Sequence, residues 1–445
     1  MNKLWDKGFE VDGKIAAFTV GKDRELDLLL APFDILGTIA HITMLESRGL
    51  LSRKELDRLL PELRGMYSVA RAGNFVIGEG VEDVHSQVEL DLTRILGDLG
   101  KKIHTGRSRN DQVAVDIRLF TRSAIERTVL KVKALFDVLQ KRSGECRDIL
   151  MPGYTHLQVA MPSSFGLWFG AYAESLADDM TVMKGAWDVN DRNPLGSAAG
   201  YGSSAPLDRK MTTELLGFSG LDYNSVYAQM GRGKVERIVS FAYSCLAETV
   251  GRLAMDCCLF NSQNFGFVKL PDALTTGSSI MPHKKNPDVF ELIRAHCNRI
   301  QGIPNDIRLV TGNLPSGYFR DMQLLKEIFL PMFGEMDDVL DIALFAVENM
   351  EVRDNLMEDP RYKAAFSVEE ANRLVSEGMP FRDAYRKVAE EIKDGSFEFH
   401  GTLAHTHEGS VGNLCNEEVA HRMEDVISSF PFDRVASALN SLTKS

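Results

Sequence analysis

The chain has 445 residues, of which 44% are hydrophobic and 26% are charged, a balance typical of a folded globular protein. Its 51 Lys and Arg against 63 Asp and Glu give a net charge of -12, which disfavours binding to nucleic acid or to an anionic membrane surface. The six cysteines show no CxxC spacing, so neither disulfides nor structural zinc are expected. The N-terminus lacks an apolar signal region and no run of about 18 uncharged apolar residues follows, which favours a cytoplasmic location.

Apolar residues at helical spacing predict helices in the N-terminal part of the chain. These helices are expected at Arg24–Gly49, Arg53–Ala72 and Val84–Leu96. Ser52 and Glu55 have the spacing of a capping box at the start of the second helix. We interpret residues 1–108 as a small N-terminal helical module.

Longer helical segments follow. The stretch Asn110–Ser143 contains neither Gly nor Pro and would extend about 50 Å as one helix. Four further long helices are expected at Ser163–Asn190, Gly233–Asn264, Pro287–Thr311 and Asp321–Met350. The pattern therefore predicts an all-α fold, with a long central helical bundle over residues 109–352 and a C-terminal module of shorter helices over residues 353–445.

The loop Gly277–Pro287, with the sequence GSSIMPHKKNP, is unusually rich in polar donors. It offers the ammonium groups of Lys284 and Lys285 and the amide of Asn286, just before the start of a predicted helix. Helix N-terminal amides and cationic side chains together can bind a carboxylate. A solvated loop that happens to carry lysines has the same composition, so composition alone leaves both interpretations open.

A second polar loop, His104–Gln112, precedes the longest predicted helix. Ser108, Arg109 and Asn110 lie where a guanidinium and helix amides could bind a dicarboxylate together. The alternative is that Asn110 or Asp111 only caps the helix, and the two roles are compatible.

A third loop, Gly153–Gln158, contains Thr155 and His156 after a Pro-Gly turn. An imidazole titrates near neutral pH, so His156 could act as a general acid or base. A single histidine in a loop can equally be a structural hydrogen-bonding group, and the residues alone do not decide between the two roles.

Other patterns of chemical interest are weaker. Glu82 and His85 fit one Glu-x-x-His half of a di-iron motif without an evident second half, and the group at His405–Glu408 resembles a chance metal site. The glycines of Gly200–Ala205 imitate part of a dinucleotide fingerprint, but no strand is predicted before them. No metal, nucleotide or other cofactor is therefore expected.

Motifs at four places resemble one known superfamily. GSSIMPHKKNP is similar to the signature of the fumarase and aspartase superfamily, whose members eliminate fumarate from succinyl-type substrates. HTGRSRNDQ, GYTHLQ and LPSGYFRDMQLLKE resemble the argininosuccinate lyase family within it. The motifs occur in the same order as in the family, and the resemblance covers roughly residues 15–350. It implies cleavage of argininosuccinate to arginine and fumarate by anti elimination.

The resemblance also implies residue roles. Ser278 corresponds to the family's base for the carbon-bound proton, and Lys284 would stabilise both its alkoxide and the charge that develops on the substrate. His156 would handle the proton on the departing guanidino nitrogen, and Glu291 would orient and charge that imidazole. The residues implied in substrate binding are Thr19, Ser108, Arg109, Asn110, Thr155, Asn286, Tyr318, Gln323 and Lys326.

The sequence departs from the family pattern at several positions. Thr19 stands where serine is common, Val159 and Met161 replace a usual Arg and Gln, and His283 replaces a usual Gln. The stretch Met230–Val239 lacks the Asp-Arg-Asp typical of its position. These departures concern the arginine side of the expected site more than its fumarate side, and they indicate a divergent branch.

Two other functions remain as alternatives. The chain could be a different fumarate-releasing lyase, such as adenylosuccinate lyase, although no contacts for a nucleotide phosphate are evident. It could also be a non-catalytic relative, like the lens crystallins that derive from this family. The presence of every expected reactive side chain favours an enzyme.

The resemblance further implies a homotetramer in which each active site draws loops from three subunits. A helix of about 50 Å with a continuous apolar stripe needs long partners, and the motif loops are spread along some 200 residues. A partner that is another copy of this chain would meet both requirements.

Overall fold

The protein, as a computed structural model, is described for residues 12–444, without the side chains of Ala16 and Ala17. The all-α fold class is confirmed. The N-terminal helices are α1 (Gly13–Val20), α2 (Asp23–Ser47), α3 (Arg53–Arg71), α4 (Val84–Leu96) and α5 (Asp98–Lys101). The predicted capping box at α3 is present, because Ser52 Oγ accepts from Glu55 N and the Glu55 carboxylate accepts from Ser52 N.

The central part contains five long helices and two short ones. They are α6 (Arg109–Glu145), α7 (Phe165–Asn190), α8 (Arg209–Leu215), α9 (Ser225–Met230), α10 (Lys234–Asn261), α11 (Asp288–Thr311) and α12 (Leu325–Asn349). The 37 residues of α6 extend about 55 Å. The bundle forms because α6 packs along α7 and α12, while α10 packs along α7 and α11.

Four helices follow the bundle. They are α13 (Ser367–Ser376), α14 (Phe381–Asp394), α15 (Asn416–Ser428) and α16 (Phe432–Thr443). The first two enclose a small apolar cluster around Leu374 and Phe397. The last two return to the main core, α15 against α7 and α16 against α2. The division of the chain at residues 108 and 352 stays a prediction.

Short strands accompany the helices. They are β1 (Leu150–Thr155), β2 (Gln158–Ser164), β3 (Arg192–Asn193), β4 (Gly220–Leu221), β5 (Val268–Lys269) and β6 (Glu351–Val352). β1 and β2 form an antiparallel hairpin that the sequence pattern did not predict. Two prolines and a glycine within Leu150–Ser164 mask the alternation of a strand pair, which explains why it was missed. β3 pairs with β4 in parallel, and β5 pairs with β6 antiparallel.

Helix α2 is long and apolar enough to cross a membrane by length and composition. Within the described chain, however, 78% of its most apolar window is buried. The helix also carries Asp27, Asp34 and His41, all buried among packed neighbours. We therefore interpret α2 as a core helix of the folded protein, and its buried polar groups lie close to the site described next.

Candidate active site

A cavity of about 180 Å³ lies where α6 begins, beside the turn that leads into α12. It is lined by five of the residues that the sequence predicted to bind substrate: Arg109, Asn110, Tyr318, Gln323 and Lys326. Arg109 and Asn110 lie more than 200 positions before Tyr318, Gln323 and Lys326 in the chain, and the fold brings the two groups together. These five predicted binding residues therefore line one cavity.

The start of α6 is held by a capping box. Ser108 is its N-cap, with Oγ accepting from Asn110 N, and the Asp111 carboxylate accepts from Ser108 N. The other Asp111 oxygen accepts from the amides of Gly196 and Ala198. Burial raises the pKa of Asp111 to about 6, although these hydrogen bonds oppose the shift. Capping and ligand binding are therefore compatible at this loop, with Ser108, not Asn110, as the cap.

Arg109 is fixed by two acidic neighbours. Its NH1 lies 3.1 Å from Glu82 and its Nε lies 3.0 Å from Asp83. Glu82 and Asp83 immediately precede α4, so these ion pairs join the start of α4 to the start of α6. Glu82, which the sequence raised as half of a di-iron motif, is an ion-pair partner of Arg109 in this structure.

Lys326 lies almost entirely out of solvent, 4% exposed. Its Nζ donates to Asp27 at 2.5 Å and lies 3.3 Å from Asp23. Burial by itself disfavours the ammonium, but these two carboxylates raise the pKa of Lys326 above its ordinary value. Burial also raises the pKa of Asp23 to about 6, against the opposing effect of Lys326. Lys326 is thus a charged, immobile group in the cavity wall.

Gln323 connects the cavity to the N-terminal segment. Its Nε2 donates to the backbone carbonyls of Thr19 at 2.8 Å and Val20 at 3.1 Å. The Thr19 hydroxyl donates to Ile15 O within α1. Thr19 therefore lies next to the predicted group, and its contact with Gln323 runs through the main chain.

The loop Gly277–Pro287 is closed at its base. Thr276 and Asn286 form a pair of backbone hydrogen bonds, and Asn286 Nδ2 donates to Thr276 Oγ1 at 3.4 Å. Within the loop, Ser278 Oγ accepts from the amides of Ile280 at 3.4 Å and Met281 at 3.2 Å. Two amides that donate to one hydroxyl oxygen favour negative charge on it.

The cationic and acidic groups around this loop are exposed. Lys284 and His283 are exposed, while Lys285 pairs with Asp272 in the same stretch of chain. Glu291 is exposed in the first turn of α11, for which Pro287 serves as the N-cap, not the first helical residue. In a single chain, the loop presents its reactive groups outward.

His156 occupies the tip of the β1–β2 hairpin. Thr155 pairs with Gln158, so His156 and Leu157 form a two-residue turn, with φ of 54° and 57°. Positive φ at both positions is the geometry of a type I′ turn, which Asn-Gly usually occupies. Left-handed φ costs a side-chain-bearing residue about 1–2 kcal/mol. The turn nonetheless presents Thr155 and His156 to solvent on a rigid support.

One chain does not bring all these groups together. The hairpin follows the C-terminal end of α6, about 55 Å from the cavity at its N-terminal end. The loop Gly277–Pro287 precedes α11, whose 24 residues extend about 36 Å before Thr311 meets Gly233 near the cavity. The predicted binding group and the predicted proton-transfer groups therefore lie at opposite ends of the bundle.

Three buried side chains, Asp34, His85 and Asp116, have ligand atoms close enough to hold a metal ion. His85 Nδ1 donates to Asp34 Oδ1 at 2.6 Å and lies 3.6 Å from Asp116 Oδ2. Burial disfavours the charged imidazole, but Asp34, with help from Asp116, raises the pKa of His85 to about 9. With its proton, His85 forms a buried ion pair with Asp34.

The sequence missed several residues that line the cavity: Asp23, Glu82, Asp83, Arg232 and Arg320. One signal was available, since Asp23 and Asp27 lie four residues apart, on one face of the predicted helix that leads into an apolar run. Arg232 lies within the stretch Met230–Val239, which had been noted only for lacking a family motif.

Comparison with known proteins gives the family. A family model described as lyase matches residues 26–302. A protein named argininosuccinate lyase from Parabacteroides distasonis is 61% identical over 440 residues, which cover 99% of each chain. One from Phocaeicola vulgatus is 60% identical with the same coverage, and one from Sorangium cellulosum is 40% identical over 95% of this chain and 98% of that protein. The chain belongs to the argininosuccinate lyase family.

Solved structures agree with this family's fold. An EDDS lyase in complex with formate has a TM-score of 0.75 at 21% identity and covers 98% of this chain and 94% of that chain. A class II fumarase from Schistosoma mansoni has a TM-score of 0.67 at 16% identity and covers 93% of this chain and 95% of that chain. At such identities the likeness concerns the fold alone. As a member of the argininosuccinate lyase family, the chain is a lyase.

Proposed function

We propose that this lyase cleaves argininosuccinate to arginine and fumarate, a step of arginine biosynthesis, without a cofactor. The observation that carries the proposal is the cavity in which Arg109, Asn110 and Lys326 converge, in a chain that also carries the Ser278 loop. Arg109 and Asn110 begin a 37-residue helix, where amides and a guanidinium together suit a dicarboxylate.

The proposed chemistry starts with a weakly acidic C–H bond next to a carboxylate. Ser278 Oγ takes this proton, and the electron pair forms the carbon-carbon double bond of fumarate as the C–N bond breaks. Extra negative charge collects on the neighbouring carboxylate, so Lys284 and Asn286 lower the barrier by donating to it. The amides of Ile280 and Met281 stabilise the Ser278 alkoxide that must exist before proton transfer.

The leaving nitrogen needs a proton of its own. His156 donates this proton, directly or through water. The guanidino group then leaves as a neutral species and not as an anion. Glu291 orients His156 and favours its protonated form. Thr155 beside it contributes to substrate binding. The two-residue turn fixes the backbone from which the imidazole extends.

We further propose a cytoplasmic homotetramer that builds each site from several subunits. The cavity and the hairpin lie about 55 Å apart in one chain, too far for one substrate to touch both. Large apolar side chains are exposed along the long helices, including Phe241 on α10, Leu292 on α11 and Phe345 on α12. Burying such faces against other copies would stabilise the assembly and bring the loops together.

Subunit complementation tests the shared site. Ser278→Ala and His156→Asn chains, each inactive alone, should regain about one quarter of wild-type activity after mixing and random reassembly, since one site in four would draw both intact groups. Fumarate release after dissociation and reassembly measures this. Ser278→Ala mixed with Lys284→Met is the matched control and should stay inactive, because both changes lie in one loop. If proven subunit exchange restores no activity to the first mixture, the shared site is refuted.

Substrate choice tests the function itself. Purified protein is offered argininosuccinate and adenylosuccinate separately, and fumarate is followed by its absorbance. We expect fumarate from argininosuccinate only, because the motifs resemble the argininosuccinate lyase family and no contacts for a nucleotide phosphate are evident. Fumarate from adenylosuccinate alone would support the other superfamily function, and fumarate from neither would favour a non-catalytic relative.

A further inference from the structure

The segment Leu356–Phe366 joins the central bundle to the C-terminal helices. It follows β6 and contains two short 3-10 helices, Leu356–Glu358 and Pro360–Phe366. The first packs against β1, and the second packs against both β1 and β2. The segment therefore contacts the hairpin whose tip carries His156.

The second of these short helices is held firmly at its start. Asp359 is its N-cap, accepting from Arg361 N at 2.9 Å, and the same carboxylate pairs with the Arg361 guanidinium at 2.7 Å. Pro360 follows at the first helical position, where its fixed φ suits a helix. Tyr362 N donates to Asp359 O at 2.9 Å. Tyr362 is therefore carried on a backbone with little freedom.

The side chain of Tyr362 lies in the core and is 4% exposed. Its ring packs edge-on against Phe267, with the ring centroids 6.1 Å apart. Phe267 is fully buried, and its carbonyl accepts from Arg353 N at 2.9 Å. The ring of Phe265 packs edge-on against Phe267 at 5.3 Å. Tyr362 thus belongs to a fixed group of aromatic rings.

Tyr154 on β1 completes this aromatic cluster, which consists of Tyr154, Phe265, Phe267 and Tyr362. The ring of Tyr154 lies 5.5 Å from that of Phe265 and 6.2 Å from that of Phe267. Burial and, after it, the hydrogen bond with the Tyr362 hydroxyl raise the pKa of the Tyr154 phenol. The two hydroxyl groups meet, so Tyr362 contacts β1 two residues before His156.

The backbone ladder of the hairpin is interrupted below its tip. Pro152 lies opposite Pro162, and neither has an N–H to donate across the strands. The register then shifts between Pro152 and Tyr154, which disrupts the ladder a second time. Beyond this point the strands are joined by the pairs that Tyr154 and Thr155 form. The orientation of the tip therefore depends on the side-chain contacts of Tyr154 as well as on the backbone.

We propose that Tyr362 is a positioning residue for His156, because it holds Tyr154 and thereby the turn that presents the imidazole. This inference rests on the proposed function, in which His156 protonates the leaving nitrogen. Proton transfer needs the two partners within hydrogen-bonding distance, and a displacement of about 1 Å can cost about 10² in rate. Tyr362 does not itself touch the substrate, and it gives the C-terminal part of the chain a role in the reaction.

Tyr362→Leu tests this role by the separation of kcat from KM. We expect kcat to fall about ten- to a hundredfold, because the hairpin loses its contact and the imidazole its fixed position. KM should stay within about twofold, since the predicted binding group lies about 55 Å away along α6. Tyr362→Phe keeps the ring on Phe267 and should retain kcat within about threefold. Initial rates of fumarate release measure both constants.

A second variant shows whether Tyr362 acts through His156. Tyr362→Leu is combined with His156→Asn, and the residual kcat is measured at high enzyme concentration. Without the imidazole there is nothing left to position, so the residual kcat should fall no further than about twofold. A residue that only supports the fold would lower this residual rate by the same factor as in the wild-type chain.

Two more variants separate position from stability. Phe397→Leu removes a buried ring from the apolar cluster of α13 and α14, so it should lower the free energy of unfolding but leave kcat within about twofold. Tyr154→Leu removes the hairpin side of the contact and should reproduce the kcat loss of Tyr362→Leu. The two changes together should cost no more than either alone. Urea unfolding, followed by circular dichroism, compares the stabilities.

Three results would overturn the assignment while leaving the function intact. They are an unchanged kcat in Tyr362→Leu, a parallel rise of KM, and a full further loss in the His156→Asn chain. If Tyr362→Leu does not fold, the same three results are read from Tyr154→Leu. A wild-type protein that releases no fumarate from argininosuccinate would remove the proposed function first, and this inference with it.

Discussion

Ser278→Ala is expected to lower kcat about 10²- to 10⁴-fold, the usual contribution of a positioned general base. Alanine removes the only oxygen that could accept the carbon-bound proton at this position, and with it the acceptor for the amides of Ile280 and Met281. KM should change little, since the binding group around Arg109 is separate in the chain. Initial rates of fumarate release from argininosuccinate measure both constants.

The neighbouring serine provides the control. Ser279 is exposed and has the same side chain one position further, so Ser279→Ala should retain most of the wild-type kcat. An effect of Ser279→Ala as large as that of Ser278→Ala would mean that the loop needs its shape and not a particular hydroxyl. A Ser278→Ala variant with more than a tenth of wild-type kcat would contradict the assignment of the base.

Lys326→Met is expected to lower the free energy of unfolding by about 3–5 kcal/mol, the usual cost of removing one partner from a buried ion pair. Methionine preserves most of the volume but leaves Asp27, which is fully buried, without its cation. The second Asp27 oxygen accepts from Val84 N, so the loss would also loosen the contact between α2 and α4. Urea unfolding at fixed protein concentration, followed by circular dichroism, measures the change.

A surface pair between the N-cap of α2 and α12 provides the comparison. Lys22 lies 3.4 Å from Glu327, and the two side chains are 64% and 33% exposed. Lys22→Met should therefore cost less than about 1 kcal/mol, because solvent screens such pairs. Similar losses in both variants would show that burial does not strengthen the ion pair of Lys326 with Asp27. Lys326→Met should also lose activity, since the residue lines the cavity.

The sequence predicted the helices well because their signals are local. Helical spacing of apolar residues placed α4 at its observed bounds and the other long helices within a few residues of theirs. Ser52 and Glu55 predicted their own capping box, since the two partners lie three residues apart. Long, periodic helices depend mainly on such short-range patterns, so the all-α class followed from them.

Part of the candidate site could also be predicted from the sequence. Four motifs in order identified the family and predicted the reactive side chains, because catalysis restricts residue types at fixed spacings. Arg109, Asn110, Tyr318, Gln323 and Lys326 were predicted as a binding group, and the structure brings them together. Their roles in the reaction stay predictions, as do those of Ser278, His156, Lys284 and Glu291.

Only the tertiary structure decided which partner each charged group has. Lys326 could be predicted as a polar residue of the site, but its pairing with Asp27 joins positions 299 residues apart. The sequence presented His85 only as part of half a di-iron motif, whereas the structure buries it beside Asp34, which raises the pKa of its imidazole against the effect of burial. Burial and pairing depend on elements distant in sequence, and no local pattern encodes them.

The hairpin illustrates the same limit. The motif GYTHLQ identified His156 from the sequence, but not that it occupies a strained two-residue turn at the opposite end of α6 from Arg109. Residue types and short-range periodicity determined the helices, the family and the reactive groups, because these depend on neighbours along the chain. The packing of long helices decided where those groups lie, which charges are buried, and that a single chain holds its predicted binding group about 55 Å from His156.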